Sequence, residues 1–354
     1  MSELRDLPLR DYRPRPMLRA PAHDVPAAGH PAIDAHNHLG RWLGAAGAWV
    51  VEDRRALLAT MDAANVLAVV NADGRWGREL EENLDRYDRW CPGRFATLCH
   101  LDWREASTPG FGTRLAAGLR RSRDAGAAGV KVWKDLGLHV RDDGGRLLMP
   151  DDERLAPVWE AAADLDMPVL IHVADPVAFF EPVDATNERL EELLAHPEWS
   201  FADESRFPRF DALIASLESV VASHPRTVFI GAHVGCYAED LAWVDRMLSA
   251  NANFHVDVAA RIAELGRQPR AAAALVRRHP DRVLFGTDAF PPDERTYAIH
   301  FRFLETDDEH FAYSVETPPP QGRWAISGLG LSGDDLRRVE HDNAARLFPS
   351  LAAG

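Results

Sequence analysis

The sequence predicts an α/β fold, a closed (β/α)8 barrel of the TIM type, and three observations predict it. Eight short apolar runs recur along the 354 residues. Stretches with helical periodicity lie between most of them. Histidines and an aspartate stand at the C-terminal ends of several runs, the end at which barrel enzymes carry their sites.

The elements follow in order. The first run, residues 31–35, closes on His36-Asn37-His38. A helical stretch over 52–64, with Leu57, Leu58 and Met61 on one face, leads to the second run, 65–70. The third and fourth are 95–99 and 129–133. Residues 151–165 open with acids, which suit a helix N-terminus, and lead to 168–172. Helical stretches over 211–222, 239–248 and 270–278 precede the runs 228–235, 253–257 and 283–288. Each run is short and rich in β-branched or aromatic residues, and those leading to His172, His233 and Asp288 carry the polar residue at the C-terminal end, as a strand buried on both faces should. Eight strands alternating with helices imply a parallel sheet, and eight is the number that closes a barrel. A doubly wound open sheet is the alternative, but no Gly-x-Gly-x-x-Gly follows the first strand.

In a barrel all strand C-termini converge on one face. His36 and His38, two residues apart on a strand, project together and can grip a divalent ion from one side. His172, His233 and Asp288 close the fifth, sixth and eighth runs and arrive at the same face. The set Asp34-Ala-His36-Asn-His38, Ile171-His172, Gly231-Ala-His233-Val-Gly235 and Gly286-Thr-Asp288, with Asp342-Asn-Ala-Ala-Arg-Leu-Phe348 near the end, resembles the amidohydrolase superfamily. The likeness is closest to the amidohydrolase-related branch that includes aminocarboxymuconate semialdehyde decarboxylase, and it spans about residues 32–348. The resemblance implies one divalent metal, zinc first and manganese or another ion second, held by His36, His38, His172 and Asp288. It implies catalytic roles for Asp288 and for His233 beside the metal. Binuclear members of the superfamily bridge two ions with a carboxylated lysine on the fourth strand. Lys131 stands inside the fourth run here, and the mononuclear branch is the closer match. Lys131 is therefore read first as a cation for a substrate carboxylate.

The reaction expected first is hydrolysis of a C–N, ester or lactone bond in a small, carboxylate-bearing substrate by metal-activated water, with Asp288 moving the proton and His233 stabilising the oxyanion. The branch also holds decarboxylases and a hydratase, so a carboxy-lyase or hydratase using the same site is the alternative, and a non-catalytic barrel ranks last. Four tryptophans follow the first four strands, each beside a cation: Arg41-Trp42, Arg75-Trp76, Trp103-Arg104 and Trp133-Lys134. An aromatic face with a cation suits a planar carboxylate, and Arg41, Trp42, Arg75 and Lys131 are the expected substrate contacts; the plainer reading is a packed, solvated rim.

A net charge of −15 argues against nucleic-acid binding. No apolar run is long enough for a membrane span. Three cysteines, Cys91, Cys99 and Cys236, without Cys-x-x-Cys spacing suggest a reducing compartment and a cytoplasmic protein. Residues 1–30 read as an N-terminal arm with no signal peptide, packed on the barrel of 31–354 or on a partner in a homodimer or higher homo-oligomer. Two long loops leave the catalytic face, 174–206 after strand 5 and 289–330 after strand 8. The first, with Phe179, Phe180 and Trp199, is expected to form a lid, the second a lid or a subunit contact.

Overall fold

A computed structural model describes residues 3–8 and 11–351. Residues 1, 2, 9 and 10 of the expected arm, and 352–354 at the end of the expected barrel, lie outside the described residues. Eight strands form one sheet: β1 Ala32–Asn37, β2 Val66–Asn71, β3 Phe95–His100, β4 Gly129–Val132, β5 Val169–Ile171, β6 Phe229–Gly231, β7 Phe254–Asp257 and β8 Val283–Leu284. Each pairs in parallel with the next. The last strand returns to the first: the Ala35 N–H donates to Phe285 O at 3.0 Å, and the Asp288 N–H to His36 O at 2.8 Å. That closure makes the sheet a barrel.

A helix follows every strand. They are Arg54–Ala63, Gly77–Arg86, Phe111–Ala125, Ala156–Asp164, Phe210–Ser223, Leu241–Ala250, Pro269–Arg278 and Glu294–Glu305. Several start where the sequence supplies a cap. Asp53, Asp240 and Asp293 each accept backbone N–H groups of the first turn, and Pro269 opens its helix at a position that needs no N–H donor. The core has two layers. Outer strand residues such as Val69, Cys99, Val130, Ile171 and Phe254 pack under the helices. An inner cluster joins Ile33, Val70, Leu98, Leu170, Ile230 and Leu284 with Phe348 and Leu351 of the C-terminal segment. Asn343 locks that segment to the last strand by donating to Pro280 O and Val283 O, each at 2.8 Å.

The excursion after β8 is more regular than the sequence reading had it. Its first part is the eighth barrel helix, Glu294–Glu305, which buries Tyr297, Phe301 and Leu304 at helical spacing behind the Asp293 cap. The irregular part starts after Thr306. Residues 12–27 of the arm run without helix or strand, and at their base His23 grips the buried Asp308 through its backbone N–H (2.7 Å) and ring Nδ1 (2.6 Å).

Candidate metal centre and substrate cavity

His36 and His38 converge on one carboxylate. His36 Nε2 lies 3.9 Å and His38 Nε2 3.4 Å from Asp288 Oδ1. The pairing of β1 with β2 shifts between Asp34 and Asn37, so this convergence owes as much to a local irregularity as to the two-residue repeat. Asp34 fixes the irregularity. Its buried carboxylate accepts from Thr287 Oγ1 (2.6 Å), Thr287 N (3.0 Å), Asn37 Nδ2 (3.1 Å) and the His36 N–H (3.3 Å), which stitches the first strand to the eighth. Burial pushes Asp34 up to about 6 against those donors.

Asp288 and His233 both sit in the left-handed backbone region, at φ 55° and 58°. Such a conformation is costly for residues with a side chain and is kept where surrounding structure imposes it. Around His233 the imposition is visible. Its N–H donates to Asp257 Oδ1 at 2.9 Å, and its Nδ1 donates to Ala259 O at 2.9 Å. The ring's remaining lone pair, on Nε2, therefore faces the site, 3.9 Å from Asp288 Oδ2. His172 packs against His233 with ring centroids 4.5 Å apart. Its Nε2 lies 3.3 Å from Asp175 Oδ1, without the alignment of a hydrogen bond.

Burial favours the neutral form of all four imidazoles. Burial lowers His36, His38 and His233 well below the ordinary histidine value, and Lys131 or a neighbouring histidine adds to it; burial likewise takes His172 down to about 4. Neutral imidazoles offer lone pairs to a metal. His38 shows this most plainly, since both of its ring nitrogens are buried without a hydrogen-bond partner. Buried polar atoms are ordinarily satisfied, and a cation would satisfy these. His36 has the outer support that metal-binding histidines usually carry: its Nδ1 donates to Asp257 Oδ2 at 3.0 Å. Ligand-capable atoms of His36, His38 and Asp288 lie within 4.8 Å of one another, as do those of His36, His233 and Asp257. The residues therefore fit a divalent ion. Asp257 was not singled out from the sequence, although it closes its strand just as Asp288 follows β8.

Lys131 joins this centre to a cavity. Its Nζ donates to His36 Nε2 at 2.8 Å, and the residue is 1% exposed. The same lysine lines a recess of about 120 Å3 with Trp42, Arg75, His100, Trp133 and Asp135. Trp42 and Trp133 meet edge to face at 4.8 Å, and Trp133 in turn touches the rings of His38 (5.7 Å) and His172 (5.2 Å). The Arg75 guanidinium lies 4.2 Å from the Trp76 ring and 5.2 Å from Trp42, and its Nε stands 3.8 Å from Glu79 Oε2. Of the four expected substrate contacts, Trp42, Arg75 and Lys131 come together. Arg41 does not: it pairs with Glu82 at 3.1 Å and stacks on Trp49 at 4.4 Å. A groove of about 470 Å3 between helices Gly77–Arg86 and Phe111–Ala125 shares Trp76, His100, Leu101 and Asp102 with the recess.

The loop after β5 spans the mouth. Asp175 is ion-paired with Lys134, and Phe201 lies 5.7 Å from that ammonium. Phe179 and Phe201 are buried, Phe180 is half-buried, and Trp199 stacks on Phe179 at 6.1 Å. Farther on, Arg189 is buried against Glu264, which follows β7, and Glu191 pairs with Arg323 of the excursion after β8 at 2.7 Å. The loop thus reaches from the β4 side to the β7 side.

The chain belongs to the amidohydrolase family, whose model matches residues 33–350. Its fold is shared with 2,6-dihydroxybenzoate decarboxylase from Rhizobium, at 18% identity over 90% of this chain and 99% of that one, TM-score 0.57. It is shared with dihydroxybenzoic acid decarboxylase from Polaromonas sp. JS666, solved with manganese and 2-nitroresorcinol, at 16% identity, 90% and 97% coverage and TM-score 0.57. A putative amidohydrolase from Staphylococcus aureus aligns at 16% identity, 90% and 99% coverage and TM-score 0.53. No curated protein is similar to the chain in sequence. Among the described residues no helix is long and apolar enough to cross a membrane.

Proposed function

We propose that this chain is a metal-dependent carboxy-lyase acting on a small planar carboxylic acid, rather than the hydrolase that the sequence put first. One observation carries the reading: Lys131 lines the aromatic recess and also touches His36, so a carboxylate held by Lys131 lies against the metal-binding residues. The fold shared with two dihydroxybenzoate decarboxylases supports it.

His36, His38, His172 and Asp288 are the proposed ligands, for zinc or manganese. When bound, a divalent ion there supplies positive charge that holds an anionic oxygen of the substrate. The chain's own groups do the rest. Trp42 and Trp133 wall a flat ring, and Arg75 and Lys131 neutralise its carboxylate. The loop after β5 excludes water. Burial pushes Asp288 up, against the pull of the Lys131 cation, and His233 Nε2 stands 3.9 Å from its carboxyl. The Asp288–His233 pair delivers a proton to the ring carbon; the C–C bond to the carboxylate breaks, its electron pair takes up that proton, and CO2 leaves. The free thiols of Cys91, Cys99 and Cys236 agree with a cytoplasmic setting.

The test is a panel of hydroxybenzoates and dienoic acids beside lactones and amides, assayed with the metal-loaded protein. The reading expects CO2 release without acid production from lactone or amide. Turnover confined to lactones, esters or amides would replace it with the hydrolase.

A further inference from the structure

The recess beside Lys131 continues beyond its own walls. At about 120 Å3 it is small against the roughly 300–1,000 Å3 of ordinary small-molecule sites. Four residues, Trp76, His100, Leu101 and Asp102, line both it and the groove of about 470 Å3 between helices Gly77–Arg86 and Phe111–Ala125. The two spaces together fall within the usual range.

The shared residues form a neck, and each polar or aromatic member is held in place. The guanidinium groups of Arg75 and Arg104 lie 4.2 Å and 5.4 Å from the Trp76 ring. Arg104 Nε donates to Asp102 Oδ1 at 2.7 Å, and His100 Nε2 donates to Ala72 O at 2.7 Å. Past the neck the chemistry changes. The recess presents Lys131 and Arg75 among aromatic rings, which suits an acid. The groove is floored by Leu80, Leu115 and Leu119, which suits hydrocarbon.

The groove is also left open where the fold does not require it. Gly118 lines it from the interior of helix Phe111–Ala125, where glycine weakens a helix relative to alanine. Gly112 of the same helix is imposed by packing, since a Cβ there would collide with the Arg154 carbonyl. Gly118 has no such neighbour. Beyond the helix's own backbone, a Cβ there would meet within 4 Å only Nη2 of Arg121, at 3.6 Å, an ordinary contact. A larger side chain at 118 would fit the helix and fill the groove.

We infer that the substrate is a planar acid with an apolar tail: the acid end lies in the recess with Lys131, and the tail passes Trp76 and Leu101 into the groove over Leu115 and Leu119. This rests on the proposal that the recess takes a planar acid, and it adds the length of the molecule and the residues that read it.

Binding to the metal-loaded protein, measured by calorimetry with benzoate and with its 3-butyl and 4-butyl derivatives, tests it without requiring turnover. A buried methylene is worth about fourfold in affinity, so at least one butyl isomer is expected to bind roughly tenfold or more tighter than benzoate. Gly118→Phe should reduce that gain to about twofold or less and leave benzoate within about twofold of its starting affinity. Ala117→Phe, which narrows the same groove from an exposed position, decides the matter if the first variant does not fold. Equal affinity for benzoate and both derivatives in the unmodified protein, or a gain that survives the phenylalanine, would overturn the inference. Failure of all three acids to bind would overturn the planar-acid reading of the recess and this inference with it. A protein that releases no CO2 from any acid yet shows the preference, and loses it in the variant, would sink the carboxy-lyase reading alone; CO2 release without the preference would sink only this one.

Discussion

The two halves of the site are built differently. The seam between β1 and β8 is over-determined: Asp34, Asn37, Thr287 and two backbone hydrogen bonds hold His36, His38 and Asp288 in place. The wall contributed by the turns after β1, β2 and β4 relies on stacked side chains, Trp42, Arg75, Trp76 and Trp133, with few hydrogen bonds among them. A rigid seam suits metal ligation, whose geometry tolerates little displacement. A stacked wall suits ligand recognition, in which rings and a guanidinium adapt to a flat molecule. The difference teaches where a substitution should abolish the site and where it should retune it.

The largest effect is expected at the seam. Replacing His36 and His38 together with Ala should remove bound metal and all measurable turnover; full metal occupancy by elemental analysis would place the ion elsewhere. His233→Ala comes next. It should keep the metal, because the four proposed ligands remain, while kcat falls about 100- to 10,000-fold. Metal loss in that variant would make His233 a ligand. At the wall the change should be milder. Arg75→Met should raise KM by roughly ten- to a hundredfold, the worth of one charge-assisted contact, and leave kcat close to its starting value. A fall in kcat with KM unchanged would move Arg75 out of ligand binding.

The smallest effect lies away from both halves. Glu340 is fully buried beside Glu305. Burial, reinforced by the Glu305 carboxylate, raises it far above its ordinary value. The folded protein therefore holds this proton more tightly than the unfolded chain does. The associated stability is fully present below the unfolded value near 4.5 and is lost as pH rises toward the raised one. Glu340→Gln should stabilise the fold at pH 8 by about 1–3 kcal/mol, a gain that shrinks toward pH 4.5. A Tm shift independent of pH would show that Glu340 is not the group responsible.

The seam was legible in the sequence and the wall only partly so. His36, His38, His172, His233 and Asp288 each follow or end an apolar run, and a barrel brings such ends together wherever they lie in the chain. The direction of a rim side chain is not fixed by its own strand. Arg41 and Arg75 both stand beside a tryptophan, yet Glu82 and Trp49 draw Arg41 away, and those neighbours lie on other elements. Helix Glu294–Glu305 was readable from the spacing of Tyr297, Phe301 and Leu304 behind Asp293, but its aromatic content resembles that of a lid.

The account stands or falls on a single-ion centre in which Lys131 keeps its amine for the substrate. Anomalous scattering from crystals of the purified protein, recorded at the absorption edge of the metal it retains, tests this most directly. The account predicts one peak bounded by His36, His38, His172 and Asp288, with the Lys131 side chain ending at Nζ. Two peaks bridged by density extending from Lys131 Nζ, or no peak at these four residues in protein that contains metal, would contradict it.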